Sequence, residues 1–156
     1  LFHFIYFLQT GTLFLTTADL SFSPAFLALL IPLFSALRLA NFNIDTRQTT
    51  SFIGLPTPAA AIFIAAIPLI NHSSLPIFSN LIFLIATAVI LSLLLIAEIP
   101  LFSLKYSSSE SLSSRLNLFR ITLILAAVLL LFVFQFAAIP FIVILYLILS
   151  LLNNIL

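Results

Sequence analysis

Long apolar runs separated by short polar stretches make up most of this chain. The polar or proline-bearing stretches are residues 16–23, 41–51, 71–76 and 103–115, and the region around Gln135. Because a helix needs about 20 apolar residues to cross the hydrocarbon core of a bilayer, this spacing predicts an all-α polytopic transmembrane helix bundle of about six membrane segments, the first of them truncated. The predicted segments are residues 1–15, 24–39, 52–70, 77–102, 116–134 and 137–152.

The composition restricts the class of protein. Of the 156 residues, 63% are apolar and 6% are charged, whereas soluble domains are near a quarter charged. An ordinary water-soluble fold is therefore excluded, and the net charge of +1 gives no basis for nucleic acid binding. Cysteine is absent, so a disulfide or thiolate site is excluded as well. The chain starts at Leu1 and has no methionine. We therefore expect one transmembrane domain over residues 1–156, as the C-terminal part of a larger protein.

Charge asymmetry predicts the orientation of the segments. Threading them alternately across a membrane places the loops 41–51 and 103–115 on one side, together with all of the basic side chains. These are Arg38, Arg47, Lys105, Arg115 and Arg120. The other side receives Asp19 and His72 and no Lys or Arg. Since Lys and Arg are enriched in cytoplasmic loops, the two loops are predicted to be cytoplasmic.

One polar cluster follows the second predicted segment. Arg38 comes directly after an apolar run, and Asn41, Asn43 and Arg47 follow it. An arginine inside a bilayer costs about 2.5–3.5 kcal/mol at the centre and less near the surface. Arg38 is therefore either an interfacial anchor or a contact for an anion, since the guanidinium fork matches phosphate and carboxylate.

The next segment begins with a helix-start pattern. Thr57 is predicted as the N-cap and Pro58 as the first helical residue. Helix N-termini attract anions through free N–H groups and the macrodipole. Together with Arg38 and Arg47, this pattern favours a phosphate-bearing ligand at headgroup level. The alternative is a helix hairpin in contact with anionic lipid.

Glu98 is the one acidic residue within a long apolar run. Acids inside a membrane segment are functional candidates, and Arg38 is the first predicted partner, with Lys105 the second. The alternative is a structural ion pair or a carboxylate that reaches the interface. Pro100 is expected to kink this helix. The sequence contains no carboxylate cluster with the spacing of metal ligands.

Two stretches carry a family resemblance. IPLFSALRLANFNIDTRQ (residues 31–48), followed by FIGLPTPAAA (52–61), resembles the middle of bacterial CDP-diacylglycerol–serine O-phosphatidyltransferases, the phosphatidylserine synthases. These enzymes belong to the CDP-alcohol phosphatidyltransferase family. AEIPLFSLKY (97–106) is similar to the place where that group has a proline and a lysine-ended cytoplasmic turn.

The resemblance implies a function in phospholipid biosynthesis, namely transfer of a phosphatidyl group from CDP-diacylglycerol to L-serine with release of CMP. It also implies a divalent metal (Mg²⁺ or Mn²⁺), a homodimer, surrounding membrane lipids and the bacterial inner (cytoplasmic) membrane. The positions carried over as substrate contacts, for lipid phosphate or serine carboxylate, are Arg38, Asn41, Asn43 and Arg47.

The family's catalytic motif, D-G-x2-A-R-x8-G-x3-D-x3-D, is not found in this chain. Asp19 and Asp45 are the only aspartates, and neither has the required neighbours. We therefore expect no catalytic residue and no metal ligand here, and no activity from the chain alone. Two alternatives remain open. The first is a related phosphatidyltransferase that uses another alcohol, such as glycerol phosphate or inositol phosphate. The second is a non-catalytic membrane protein, either a transporter fragment in which Arg38 and Glu98 line a pathway or a partner fragment.

Overall fold

The described part of the chain is mostly helical. The computed structural model describes residues 1–11, 24–45, 52–70, 75–104 and 115–155. Its α-helices are α1 (Phe2–Thr10), α2 (Leu30–Ile44), α3 (Thr57–Ala66), α4 (Leu81–Ile96), α5 (Arg115–Phe134) and α6 (Ala138–Ile155). Short 3₁₀ turns, Pro24–Leu29, Ile67–Leu69, Pro76–Ser79 and Gln135–Ala137, adjoin them. Two strands of two residues, β1 (Phe52–Ile53) and β2 (Pro100–Leu101), form an antiparallel pair. The all-α prediction is confirmed apart from this pair.

Two helical stretches are long and apolar enough to cross a membrane, by length and composition. They are Pro24–Ile44, of 21 residues, and Arg115–Ile155, of 41 residues. Thr57–Leu69 and Leu81–Ile96 are shorter apolar helices. Large apolar side chains also lie on the surface, with Phe132 90% and Ile82 77% exposed. Exposed apolar surface of this kind is typical of contact with lipid or with a partner protein.

The longer stretch folds back on itself. Gln135 has a φ of 49° and begins the 3₁₀ turn between α5 and α6. The two helices then pack against each other. The tight turn predicted near Gln135 is therefore confirmed, and the 41 residues form a helical hairpin.

The segment predicted over residues 77–102 is shorter as a helix. Helix α4 ends at Ile96, and Ala97 is already extended. The position before a proline disfavours helical backbone, and Pro100 pairs with Ile53 in the two-stranded sheet. The predicted kink at Pro100 is wrong, because the helix has ended before that residue.

Gly54 and Leu55, near the start of the third predicted segment, donate backbone hydrogen bonds to the end of α4 and to the extended residues after it. Gly54 has a φ of +74°, and its N–H donates to the carbonyl of Ile99 at 2.9 Å. The N–H of Leu55 donates to the carbonyl of Leu94 at 2.8 Å. The predicted segment 52–70 therefore begins as a strand and a turn, and its helix starts only at Thr57. This turn caps the last carbonyls of α4.

Side chains from α5 and α6 hold the extended residues 97–104. Arg120 Nε donates to the carbonyl of Ser103 at 2.8 Å, and Tyr146 Oη donates to that of Phe102 at 2.9 Å. Asn154 Nδ2 donates to the carbonyl of Pro100 at 2.6 Å. Arg120 also donates through Nη1 to Asn117 Oδ1 at 2.8 Å, and both of these side chains are buried. The non-helical backbone is thus satisfied within the protein, as apolar surroundings require.

The predicted orientation depends on several residues that the structure does not describe. Arg47, Lys105, Asp19 and His72 lie outside the described residues. The cytoplasmic placement of the loops 41–51 and 103–115 therefore stays a prediction.

Candidate functional site

The final turns of α2 present a row of polar residues. The predicted segment ended at Leu39, but the helix continues to Ile44. Arg38, Asn41 and Asp45 are therefore spaced at i, i+3 and i+7, which places them along one face. The Asp45 N–H donates to the carbonyl of Asn41 at 3.0 Å, which ends the helix at this point.

These residues form one wall of a cavity of about 360 Å³, which we call the charged cavity. Its volume lies within the range of about 300–1,000 Å³ that ligand pockets occupy. The opposite wall comes from β1, the end of α4 and the extended residues that follow. The lining residues are Arg38, Asn41, Ile44, Asp45, Ile53, Leu95 and Glu98.

Glu98 differs from its predicted position. It was expected deep in an apolar helix, but it is exposed and lies two residues beyond the end of α4. The structure brings Glu98 and Arg38 to the same cavity. Among the described residues no ion pair joins them, and Lys105, the second predicted partner, lies outside those residues. Glu98 is therefore a solvent-accessible carboxylate at the rim of the charged cavity.

The guanidinium of Arg38 is incompletely satisfied. Its side chain is partly buried, and the Nε atom is buried without a hydrogen-bond partner in the described part of the protein. A buried donor without a partner loses its hydration and costs about 1–3 kcal/mol, more when it is charged. Because Arg38 also lines the charged cavity, it has the features of a ligand-binding side chain.

Arg38 also lines a second cavity, of about 440 Å³, on the side of α2 that faces the start of α3. We call it the proline cavity. Its lining is Ser35, Ala36, Arg38, Leu39, Phe42, Pro56, Thr57 and Pro58. The predicted approach of Arg38 to this helix start is therefore present in the structure.

The start of α3 has a different cap from the one predicted. Pro56 occupies the N-cap position, and Thr57 is the first helical residue. The Thr57 hydroxyl accepts a hydrogen bond from Ser35 Oγ at 3.4 Å instead of capping the helix. Pro58 has no N–H, and the N–H groups of Ala59 and Ala60 donate to the carbonyl of Pro56. This helix start therefore offers an anion fewer donors than expected, and Arg38 is the main anion-binding group beside it.

An apolar groove of about 540 Å³ adjoins the proline cavity and shares Pro56 and Pro58 with it. Its lining comes from α3, α5 and α6, and includes Ile62, Leu123 and Val143. A headgroup near Arg38 would therefore have apolar surface within reach on the other side of the two prolines.

The remaining predicted contacts are more distant or not described. Asn43 is exposed on α2 and lines neither of the two cavities at Arg38. Arg47 lies outside the described residues. Of the four positions carried over from the resemblance, Arg38 and Asn41 are thus brought together in the charged cavity.

Metal ligands do not cluster in the ranges that the structure describes. No group of three His, Cys, Asp or Glu side chains there could hold a metal ion. The charged cavity itself offers two carboxylates, Asp45 and Glu98. The divalent metal that the resemblance implies stays a prediction.

Sequence reasoning missed one member of this site, Asp45, and one supporting residue. Glu98 was identified as a functional candidate, but it was expected within a helix. The signal for Asp45 was available: no Gly or Pro lies between Arg38 and Asp45, so the helix had no reason to end at Leu39. No local signal identifies Arg120 as the residue that holds Ser103, because the two are 17 positions apart.

The chain matches no known protein-family model and none of the curated proteins compared with it. Its family resemblance therefore remains an expectation from residues 31–61 and 97–106.

Proposed function

We propose that this chain is the C-terminal, substrate-binding part of a membrane phosphatidyltransferase that uses CDP-diacylglycerol and L-serine. The observation that carries the proposal is the lining of the charged cavity. Arg38 and Asn41, from the first family-like stretch, line the same cavity as Glu98, from the second. Two stretches that are separated in sequence by α4 thus contribute to one site. Their meeting is what a shared substrate would require.

The surroundings of Arg38 suit both substrates. On one side, the charged cavity offers polar groups for the alcohol acceptor. On the other, the proline cavity and the apolar groove offer space for a phosphate beside Arg38 and for an acyl chain beyond Pro56 and Pro58. Phosphatidyl transfer needs these two substrates side by side, because the serine hydroxyl oxygen forms a bond to the phosphatidyl phosphorus while the bond to the CMP oxygen breaks.

The proposal includes the membrane arrangement. The chain forms about six membrane segments in a bacterial inner membrane, with the charged cavity toward the cytoplasm, where CDP-diacylglycerol headgroups and serine meet. It works as a homodimer. The family's aspartate motif is not in this sequence, so the proposal assigns neither a metal ligand nor a general base to this chain, and the chain's own residues bind and orient the substrates.

The test is a CMP-release assay on the protein encoded by the complete reading frame that contains this chain. Membranes that express it should release CMP from CDP-diacylglycerol when serine is added, and phosphatidylserine should accumulate in equal amount. Release with glycerol phosphate or inositol phosphate in place of serine would assign the related enzyme. Solute flux into proteoliposomes without any CMP release would contradict the proposal and favour a transporter.

A further inference from the structure

The charged cavity contains ionic groups of both signs. Arg38 contributes one guanidinium, and Asp45 and Glu98 contribute two carboxylates. Among the described residues that line the cavity, the formal charge is therefore −1. A site built only to bind an anionic group would have no use for the two carboxylates, because each of them weakens the attraction of an anion to Arg38.

We infer that the charged cavity recognises the acceptor as an amino acid zwitterion, and that Glu98 determines this specificity. Arg38 binds the α-carboxylate, and Glu98, together with Asp45, binds the α-ammonium group. The inference rests on the proposed function for its choice of serine. It goes further by assigning the ammonium contact to Glu98, which lies outside the set of carried-over positions.

The carboxylate contact follows from the position of Arg38. Its side chain lines the charged cavity, and the planar fork of a guanidinium matches a carboxylate bidentately. Such bidentate, charge-assisted pairs are the stronger hydrogen bonds of proteins. Asn41, one helical turn further along α2, adds an amide donor and acceptor to the same wall.

The ammonium contact follows from the position of Glu98. Glu98 and Asp45 come from different segments, the extended residues after α4 and the end of α2. An ammonium group has three donors and no acceptor, so carboxylates contributed by two different segments of the lining match it. Both side chains are accessible to solvent to some degree, which lets a polar ligand enter without crossing apolar surface.

The same charges reject the acceptors of related enzymes. Glycerol phosphate and inositol phosphate carry a phosphate and no cationic group. Either would bring negative charge toward Glu98 and Asp45, and like charges in close contact are repelled. Ethanolamine would pair with the carboxylates through its ammonium group, but it has no carboxylate for Arg38 to bind. A site that binds a polar group of its substrate discriminates strongly against an analogue that lacks this group.

The first measurement is direct binding to the chain in nanodiscs of phosphatidylethanolamine and phosphatidylglycerol. Radiolabelled L-serine should bind saturably. Competition by 3-hydroxypropionate, which lacks the ammonium group, by ethanolamine, which lacks the carboxylate, and by glycerol 3-phosphate should each be weaker than competition by unlabelled serine by at least about tenfold. Absence of saturable serine binding, or equal competition by glycerol 3-phosphate, would overturn the inference.

Variants of Glu98 assign the contact. Glu98→Gln keeps the shape and removes the charge, so serine affinity should fall by at least about tenfold, while the weak affinity for 3-hydroxypropionate should stay the same or rise because a repelling charge is removed. Glu98→Asp should restore most of the serine affinity. Arg115→Gln, which removes a charge at the exposed start of α5 outside the charged cavity, is the control and should bind serine like the wild type. Thermal unfolding in detergent verifies that each variant is folded. A folded Glu98→Gln protein with wild-type serine affinity would show that Glu98 is not the ammonium contact.

The inference and the proposed function fail in different ways. Serine binding that depends on Glu98, without CMP release from the complete protein, keeps the amino acid site and removes the transferase. Serine-dependent CMP release with kinetics that are unchanged in Glu98→Gln keeps the transferase and removes Glu98 from its acceptor site.

Discussion

Gly54 lies against the carbonyl end of α4, where a Cβ atom would be only 2.7 Å from the carbonyl oxygen of Leu95. The carbonyl oxygen of Ala97 would be at 2.9 Å from the same atom. Gly54 is therefore the residue that lets two backbones approach closely enough for the Leu55 N–H to donate to the carbonyl of Leu94 in α4 and for the Gly54 N–H to donate to that of Ile99. The floor of the charged cavity, formed by Ile53 and Leu95, depends on this approach.

Gly54→Ala should destabilise the protein strongly. The added Cβ meets backbone atoms that cannot rotate away, and the φ of +74° is itself unfavourable for alanine. We expect a loss of at least about 2 kcal/mol of unfolding free energy, measured by denaturant titration in detergent.

Gly11→Ala is the matched control for this change. Gly11 has a similar φ of +71°, but a Cβ there has nothing within 4 Å. Its cost should be limited to the backbone strain of about 1 kcal/mol. Equal effects of the two substitutions would show that the contact with α4 contributes nothing.

Arg120→Leu should also destabilise the fold. It removes the hydrogen bonds that this buried side chain donates to the Ser103 carbonyl and to Asn117 Oδ1. Because a hydrogen bond that involves a charged group contributes about 1.5–3 kcal/mol, a loss of about 2–3 kcal/mol is expected in the same titration. Arg115→Leu, at the exposed start of the same helix, should change the stability by less than about 0.5 kcal/mol.

Arg38→Leu should have the opposite profile. Because Arg38 Nε has no hydrogen-bond partner among the residues that the structure describes, its replacement should leave the stability unchanged or raise it. Function should suffer: kcat/KM for serine-dependent CMP release by the complete enzyme is expected to fall at least tenfold, about 1.4 kcal/mol of transition-state stabilisation. Wild-type kinetics in a folded variant would remove Arg38 from the site.

Asn41→Ala and Asn43→Ala separate the two asparagines that follow Arg38. Asn41 lines the charged cavity, whereas Asn43 is exposed on α2 outside it. We expect Asn41→Ala to raise the KM for serine about threefold to tenfold, the effect of about one hydrogen bond, and Asn43→Ala to leave it unchanged. A larger effect of Asn43→Ala would place the serine site elsewhere on α2.

Hydropathy was sufficient to predict the helices of this fold. The apolar runs that become α5 and α6, and the turn between them at Gln135, were predicted within a few residues. Hydropathy could not predict the end of α4, because Ile99, Leu101 and Phe102 continue the apolar run after the helix has stopped. A short apolar run does not distinguish a helix from a strand, so the strand pairing of residues 52–53 with 100–101 could not be foreseen.

The candidate site was predictable only in part, for the same reason. Arg38 and Asn41 were identified from local sequence and lie together. The contribution of Glu98 requires the break after Ile96, which turns a helical position into the rim of a cavity. That break is in turn maintained by Gly54 and Arg120, which act from other parts of the chain.

The hydrogen bonds that Arg120, Tyr146 and Asn154 make to residues 100–103 have an entropic consequence for any ligand of the charged cavity. An extended segment without such anchors would sample many conformations, and a ligand would have to select one of them at a cost in affinity. Here the folding of α5 and α6 has already restricted that segment. The wall that carries Glu98 is thus preorganised by distant helices, and substitutions along α5 and α6 are expected to change affinity without touching the ligand.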